Sequence, residues 1–432
     1  MMKNYDFDRL YTLFGQYPCI GTDTRKDLRG CIFWALKGEH FDANDFIDRA
    51  LDQGAVAVVT NNPRWEHDPR AFYLRGDTLE ALQDFAREHR LRMPADVIAV
   101  TGSNGKTTTK ELMASVLRQQ FRTVATEGNL NNHIGVPLML LRIRPDTEKA
   151  VIEMGTNHFG EIEKLVSIAL PDYGYITGFG EAHLEFFKDL NGVIREKTAL
   201  YRYLRKAGKT AFIHFDDPVQ EEKSRHMKRY GFSFEGHPEA RVILEKIPGE
   251  DTATLRLGDT LIRSHLVGDF HTVNMGGAIA AGTYFDIEPE LIKKGIESYV
   301  PRNNRSQILQ KDSLRIILDA YNANPTSMRA ALENLARYPG PKTAVLGDML
   351  ELGESAAQKH AEIARLAAQL QIPVYLIGRH FQQVPDNSFI KAKFTDTQAF
   401  IESGIFDKLD EGTVLLKGSR GLKLERILEK GH

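Results

Sequence analysis

The segment Val97-Ile98-Ala99-Val100-Thr101-Gly102-Ser103-Asn104-Gly105-Lys106-Thr107-Thr108 constrains the fold more than any other stretch of this chain. Its leading apolar residues read as a buried strand, and the spacing from Thr109 to Leu117 predicts a helix. A strand, a glycine turn and a helix opening on Gly-Lys-Thr form the setting of a phosphate-binding loop. The glycines let backbone N–H groups turn toward an anion, and the helix N-terminus adds positive potential. In that setting Lys106 reaches the outer phosphates of a nucleotide, and the Thr107 hydroxyl ligates Mg²⁺. The pattern departs from the general one at Val100, where another glycine is usual.

A chain of 432 residues is too long for one ordinary core, and roughly 100–200 residues per domain predicts about two to four domains. Hydrophobic content of 42% and charged content of 26% are those of a soluble globular protein. A net charge of −2 gives no general attraction to nucleic acid or acidic membranes. The mixed, charged start from Met1 to Asp8 does not resemble a signal peptide. No apolar run approaches the roughly 20 residues of a membrane span, so no membrane insertion is expected. The two cysteines, Cys19 and Cys31, read as reduced, packed thiols of a cytoplasmic protein.

Three α/β units follow one another. In the first, Cys31–Leu36 and Ala55–Val59 read as strands, and Phe46–Gln53 and Thr78–Arg92 as helices, before a linker at Met93-Pro94-Ala95. From Asp96, strands at 150–154, 173–177 and 210–214 alternate with helices, which implies a parallel sheet. Residues 240–267 alternate in a way that suggests appended antiparallel strands. After a boundary near Tyr299–Arg305, strands at 315–319, 343–346, 374–377 and 413–416 again alternate with helices. The expected domains are 1–93, 94–303 and 304–432.

Ligands in open α/β sheets gather at the C-terminal ends of strands. Glu153 ends such a strand and is placed to hold Mg²⁺, unless it simply begins a turn. His183 follows another strand on a glycine-rich loop, although a lone histidine is more often structural. Lys197 lies on an amphipathic helix and by itself reads as a solvated lysine. The segments 319–328, 346–349 and 416–420 are polar loops leaving strands, and together they suggest one shared site.

Together these motifs resemble the Mur ligase family, ATP-dependent amide-forming enzymes of peptidoglycan synthesis. Thr101–Thr108 is similar to that family's shortened phosphate loop. Tyr321-Asn322-Ala323-Asn324-Pro325-Thr326-Ser327-Met328, Leu346–Gly353 with His360, Lys417–Arg420, Thr22–Arg25 and Ala35–Glu39 resemble one member's signatures in the right order. The resemblance implies a central ATPase domain with a phosphate loop and parallel sheet. A small N-terminal domain for a UDP-linked substrate and a C-terminal Rossmann-like domain flank it. It implies the substrates UDP-N-acetylmuramoyl-tripeptide and D-alanyl-D-alanine, with ATP and a pair of Mg²⁺ ions. A monomer is expected, as is closure of the domains about Met93–Asp96 and Pro301–Arg305.

The same resemblance assigns residues. Gly102, Ser103, Asn104, Gly105, Lys106, Thr107 and Thr108 cradle the phosphates, and Thr107, Glu153 and His183 hold Mg²⁺. Lys197 matches a lysine that is carbamylated in this family. Asn274 approaches the adenine, Arg305 the phosphates and Asp319 the ribose, with Leu318 where a second acid is common. Lys106, His183, Lys197 and Arg305 form the implied catalytic set. Thr22, Thr24, Arg25, Asn129, Asn131 and Asn132 face the UDP-linked substrate, and Asn322, Asn324, Ser419 and Arg420 the incoming dipeptide. Rival readings are another ligase of this fold, such as a folylpolyglutamate synthase, and a nucleotide-binding regulator without catalysis.

Overall fold

The computed structural model describes residues 7–301 and 305–431. The expected domain boundary at 303/304, and the N-terminal residues before Phe7, lie outside the described residues. The chain forms two compact units: 7–99, 121–156 and 161–173 make one, and 100–120, 157–160, 174–301 and 305–431 make the other. The architecture is mixed α/β with largely parallel sheets.

In the first unit, β1 (Ile20–Gly21), β2 (Ile32–Trp34), β3 (Ala57–Thr60) and β4 (Ala71–Tyr73) form a parallel sheet in that order. Phe33, Ala35, Ile47, Ala50 and Val58 share its core. The helix Thr78–Arg92 spans the range its periodicity predicts, and the Asp77 carboxylate caps it by accepting from Leu79 and Glu80 N–H. β5 (Asp96–Thr101) leads to the phosphate loop, and β6 (Thr123–Ala125) pairs in parallel with β7 (Lys149–Glu153), which ends on the expected acid.

One expectation fails here. Cys19 and Cys31 are joined in a disulfide, not reduced. The reason is register: β1 and β2 are parallel neighbours with Ile20 opposite Ile32, so the preceding residues also face each other. Their Cα atoms lie 4.5 Å apart, within the span that a bridge needs. A separation of twelve residues in sequence gave no hint of this pairing.

In the second unit, β8 (Tyr173–Ile176), β9 (Thr210–His214), β10 (Lys228–Ser233), β11 (Val242–Lys246), β12 (Thr254–Leu257) and β13 (Thr260–Arg263) are successive neighbours. β9, β10 and β11 are parallel, whereas β11, β12 and β13 are antiparallel, as the alternating texture suggested. The remaining strands are β14 (Gln307–Lys311), β15 (Ser313–Asp319), β16 (Lys342–Gly347), β17 (Val374–Ile377), β18 (Ile390–Phe394) and β19 (Glu411–Lys417). They order as β14-β15-β19-β16-β17-β18, parallel except for β14. Apolar side chains cover both faces, with Leu346, Leu376 and Leu415 on one and Ile316, Val345 and Val414 on the other. This is why these strands are continuous apolar runs.

The disulfide is checked by iodoacetamide in denaturant without reductant, followed by mass analysis. No adduct is expected. Two adducts would restore the reduced pair.

Candidate nucleotide site and the loops around it

The phosphate loop is set by two glycines with positive φ. Gly102 has φ +147°, and a Cβ there would lie 1.9 Å from Thr177 Oγ1. Gly105 has φ +78°, and a Cβ there would lie 2.2 Å from Asn274 Oδ1. Gly105 is the N-cap of the helix Lys106–Leu117, which begins earlier than the apolar spacing predicts because its first turn is polar. That turn points its N–H groups at the loop, the donor set an anion needs.

The loop is zipped to the segment after β8. Thr177 N–H donates to Thr101 O at 2.8 Å and Ser103 N–H to Gly178 O at 3.1 Å. Ser103 Oγ donates to Gly180 O and accepts from Gly180 N–H, and the Thr177 hydroxyl donates to Asn104 O. Lys106 Nζ donates to Gly102 O at 2.8 Å and Ser103 O at 3.3 Å, so the ammonium is held over the loop's own carbonyls. Thr107 is partly exposed beside it, and Thr108 is buried.

Asn274 sits at the centre of a buried relay. It accepts from the Thr109 hydroxyl at 3.1 Å and donates to His271 Nδ1 at 2.9 Å, and His271 Nε2 contacts Ser306 Oγ at 2.9 Å. An amide that donates to Nδ1 leaves the proton on Nε2, so the ring donates to Ser306. Burial pushes the His271 pKa down to about 4 and keeps the ring neutral. His271 and Ser306 carried no sequence assignment, yet His271 joins Asn274 to Ser306, the residue next to Arg305. The Arg305 guanidinium stacks on the Tyr321 ring at 3.6 Å from its centroid, and Arg420 lies over the same ring at 5.1 Å.

Lys197 ends the helix Leu190–Lys197 and is fully buried. Burial holds its pKa well below the usual lysine value, the charge of Lys106 adds to this, and Glu196 opposes it. The solvated reading is therefore incorrect: Lys197 is a buried amine whose neutral form is favoured. Asp319, at the end of β15, pairs with the buried Lys417 at 2.5 Å.

His183 has φ +55°, uncommon for a residue with a side chain. Its Nδ1 lies 2.5 Å from Glu351 Oε2, and this contact lowers the Glu351 pKa. The next turn buries Leu184 and Phe187 among Met328, Met349 and Leu352. Glu181 pairs with Lys359 at 2.9 Å, and its N–H donates to Thr326 Oγ1. None of these partners was assigned from sequence, although Glu351 and Thr326 lie in quoted motifs.

The polar loops expected to hold the dipeptide carry structural duties. Asn324 Oδ1 caps the helix Pro325–Ala336 by accepting from Ser327 N–H, and its Nδ2 donates to Asn104 Oδ1 at 2.8 Å. Asn322 Oδ1 accepts from Ala323 N–H. Ser419 accepts from Leu350 N–H and donates its own N–H to Asp348 O. His360 Nε2 accepts from Met349 N–H, which holds the start of the same loop.

The other unit holds the remaining candidates. Asn131 Nδ2 donates to Glu153 Oε1 at 2.8 Å, while Glu153 Oε2 is buried with no hydrogen-bond partner. A buried carboxylate oxygen of this kind suits a hard cation. Asn132 Oδ1 accepts from Ile134 and Gly135 N–H, and Asn129 is exposed. Thr24 is buried and its carbonyl accepts from Gln53, Thr22 is partly exposed, and Arg25 forks onto Asp23, pulling that carboxyl down to about 2. Among the described residues no three His, Cys, Asp or Glu side chains form a metal cage. Mg²⁺ needs no such cage, because it takes one or two protein ligands and completes its shell with phosphates and water.

Residues 100–282 match the Mur ligase middle domain, and residues 304–420 match the domain described as Mur ligase, glutamate ligase domain. The chain belongs to the Mur ligase family of ATP-dependent, ADP-forming ligases. It is 35% identical over 425 residues to the UDP-N-acetylmuramoyl-tripeptide–D-alanyl-D-alanine ligase of Bacillus subtilis, covering 95% of this chain and 92% of that one. It is 34% identical over 420 residues to the Escherichia coli ligase of the same name, with the same coverage. The crystal structure of MurF ligase from Thermotoga maritima in complex with ADP superposes with a TM-score of 0.83 at 29% identity, covering 95% of this chain and 96% of that one.

Gly105→Ala forces a side chain onto Asn274, so nucleotide binding is expected to fall at least about tenfold, ~1.4 kcal/mol, with the fold retained. Fluorescent-nucleotide titration checks this, and unchanged affinity would contradict it. For His271 the unfolded state binds a proton near pH 6.5 and the folded state only near pH 4. Stability is therefore expected to fall as pH drops through that window, by up to ~3 kcal/mol, and to level off below it. Urea titrations at several pH values, compared with His271→Gln, measure that slope.

Proposed function

We propose that the chain joins D-alanyl-D-alanine to UDP-N-acetylmuramoyl-tripeptide, giving the pentapeptide precursor of peptidoglycan. The observation that carries this reading is the contact of Asn324 with Asn104, which ties the loop resembling the dipeptide-adding member to the phosphate loop. The curated relatives that add this dipeptide match nearly the whole chain.

The reaction has two steps. A substrate carboxylate oxygen attacks the γ-phosphorus of ATP, forming a P–O bond as the bond to the leaving ADP breaks. The amine of the dipeptide then attacks the acyl carbon, gives up a proton to solvent or to His183, and expels inorganic phosphate. A carboxylate and a triphosphate repel each other, so the first step depends on positioning and charge neutralisation. Lys106 and Arg305 supply positive charge, and the helix N-terminus after Gly105 supplies N–H donors. Thr107, Glu153 and His183 are the candidate ligands of the two Mg²⁺ ions, which would offset phosphate charge. The free Oε2 of Glu153 supports its place in that set. Glu351 lies against the His183 ring, 2.5 Å from its Nδ1.

Lys197 fits carbamylation, because a neutral buried amine is the nucleophile that CO₂ requires. Addition of CO₂ to this neutral amine, with release of one proton, leaves an anion beside Lys106. Asp319 suits a ribose, Thr22, Thr24, Arg25, Asn129, Asn131 and Asn132 the UDP-linked substrate, and Asn322, Ser419 and Arg420 the dipeptide. Three domains, 1–93, 94–303 and 304–432, carry these tasks. We place the enzyme in the cytoplasm, where ATP and a UDP-linked substrate are available, and take it as a monomer. No helix among the described residues is long and apolar enough to cross a membrane.

Phosphate release with ATP, Mg²⁺, the UDP-linked tripeptide and D-alanyl-D-alanine, omitting one component at a time, tests the reading. Release is expected only with all four, with the pentapeptide product seen by mass. Release with another acceptor would assign a different ligase of this fold. Lys106→Ala is expected to lower the rate by about 10²–10³ or more, as loss of an oriented charge at a transferring phosphate does.

A further inference from the structure

Beside the helix Leu190–Lys197 and the helix that follows it, Ala199–Ala207, lies a cleft of about 780 Å³. The candidate nucleotide and substrate residues do not line it. Its wall is a stripe at helical spacing, Asn191, Ile194, Arg195, Thr198, Arg202 and Arg205, and the segment 219–226 closes the other side. The cations of that segment are already paired, Lys223 with Glu222 at 2.9 Å and Arg225 with Glu221 at 2.8 Å.

The arginines of the stripe differ. Each is held by a neutral group: Arg195 over the Phe159 ring at 4.7 Å, Arg202 by Arg195 O at 3.0 Å and Thr198 Oγ1 at 3.3 Å, and Arg205 by Lys223 O at 3.0 Å and Arg225 O at 3.1 Å. Among the described residues no carboxylate pairs with Arg195, Arg202 or Arg205. Their guanidinium forks are therefore oriented while their full charge and spare N–H donors remain. This is the donor set that binds phosphate oxygens. Ile194, Tyr201 and Val219 add apolar lining, and the volume falls in the range of small-molecule sites.

We propose that this cleft binds a free organic polyphosphate, a second anion site separate from the phosphate loop. Inorganic pyrophosphate is the probe, titrated calorimetrically into the full chain. The Lys106→Ala background weakens the contribution of the phosphate loop, and the arginine variants assign what remains. Binding is expected to persist in Lys106→Ala and to weaken with salt. It should fall at least about tenfold when Arg202→Ser and Arg205→Ser are added, the loss expected for oriented charged hydrogen bonds. Arg202→Lys with Arg205→Lys keeps the charge without the fork and is expected to lie between. These side chains are exposed, and matching circular dichroism spectra confirm that the variants fold. The proposal is overturned if Lys106→Ala binds no pyrophosphate. It is also overturned if the serine pair binds as well as its parent, or if only vesicles containing phosphatidylglycerol bind.

Discussion

Two close approaches hold the nucleotide loop in shape, and much of the second unit is arranged to satisfy them. Gly102 sits against Thr177, and Gly105 against Asn274, at distances that no side chain fits. Both glycines have positive φ, a backbone conformation that residues with side chains rarely adopt. The supporting residues are themselves supported. Thr177 is held by the Thr101 carbonyl at the end of β5, and Asn274 by Thr109 on one side and His271 on the other. The relay ends at Ser306, beside the arginine implicated in phosphate binding. An anion-binding loop is thus built by packing polar groups to saturation behind it, because an unpaired buried amide or imidazole costs more than it returns.

Much of this was legible in the sequence, for an identifiable reason. Strands buried on both faces read as apolar runs, so β9 and β17 fall on their predicted residues. The helix Thr78–Arg92 was legible because its apolar residues repeat and an aspartate precedes it. The short strands β1, β4 and β6, and the edge strands β14 and β18, escaped notice. A two- or three-residue strand has no period to read, and an edge strand keeps polar residues on its open side.

The candidate site was legible in its anchors and not in its supports. Glycine and lysine at fixed offsets announce a phosphate loop because the mechanism demands them. Glu351, Lys359 and Ser306 act through neighbours far away in sequence, and no local pattern marks a residue whose role depends on where another loop lies. Lys197 shows the same limit from the other side. Its helix looks amphipathic with a lysine on the polar face, yet packing buries the amine completely. Burial of one ionisable group is a property of the assembled structure, not of the periodicity of its helix.

The bond between Cys19 and Cys31 has a consequence for work on the molecule itself. Both cysteines of the chain are consumed, so it presents no native thiol to a maleimide or a nitroxide reagent. A single cysteine introduced at an exposed position, such as Arg420 or Asn129, becomes the only reactive sulfur in the protein. Spectroscopic rulers can then be attached pair by pair without first stripping the natural sulfurs, provided that labelling is done without reductant.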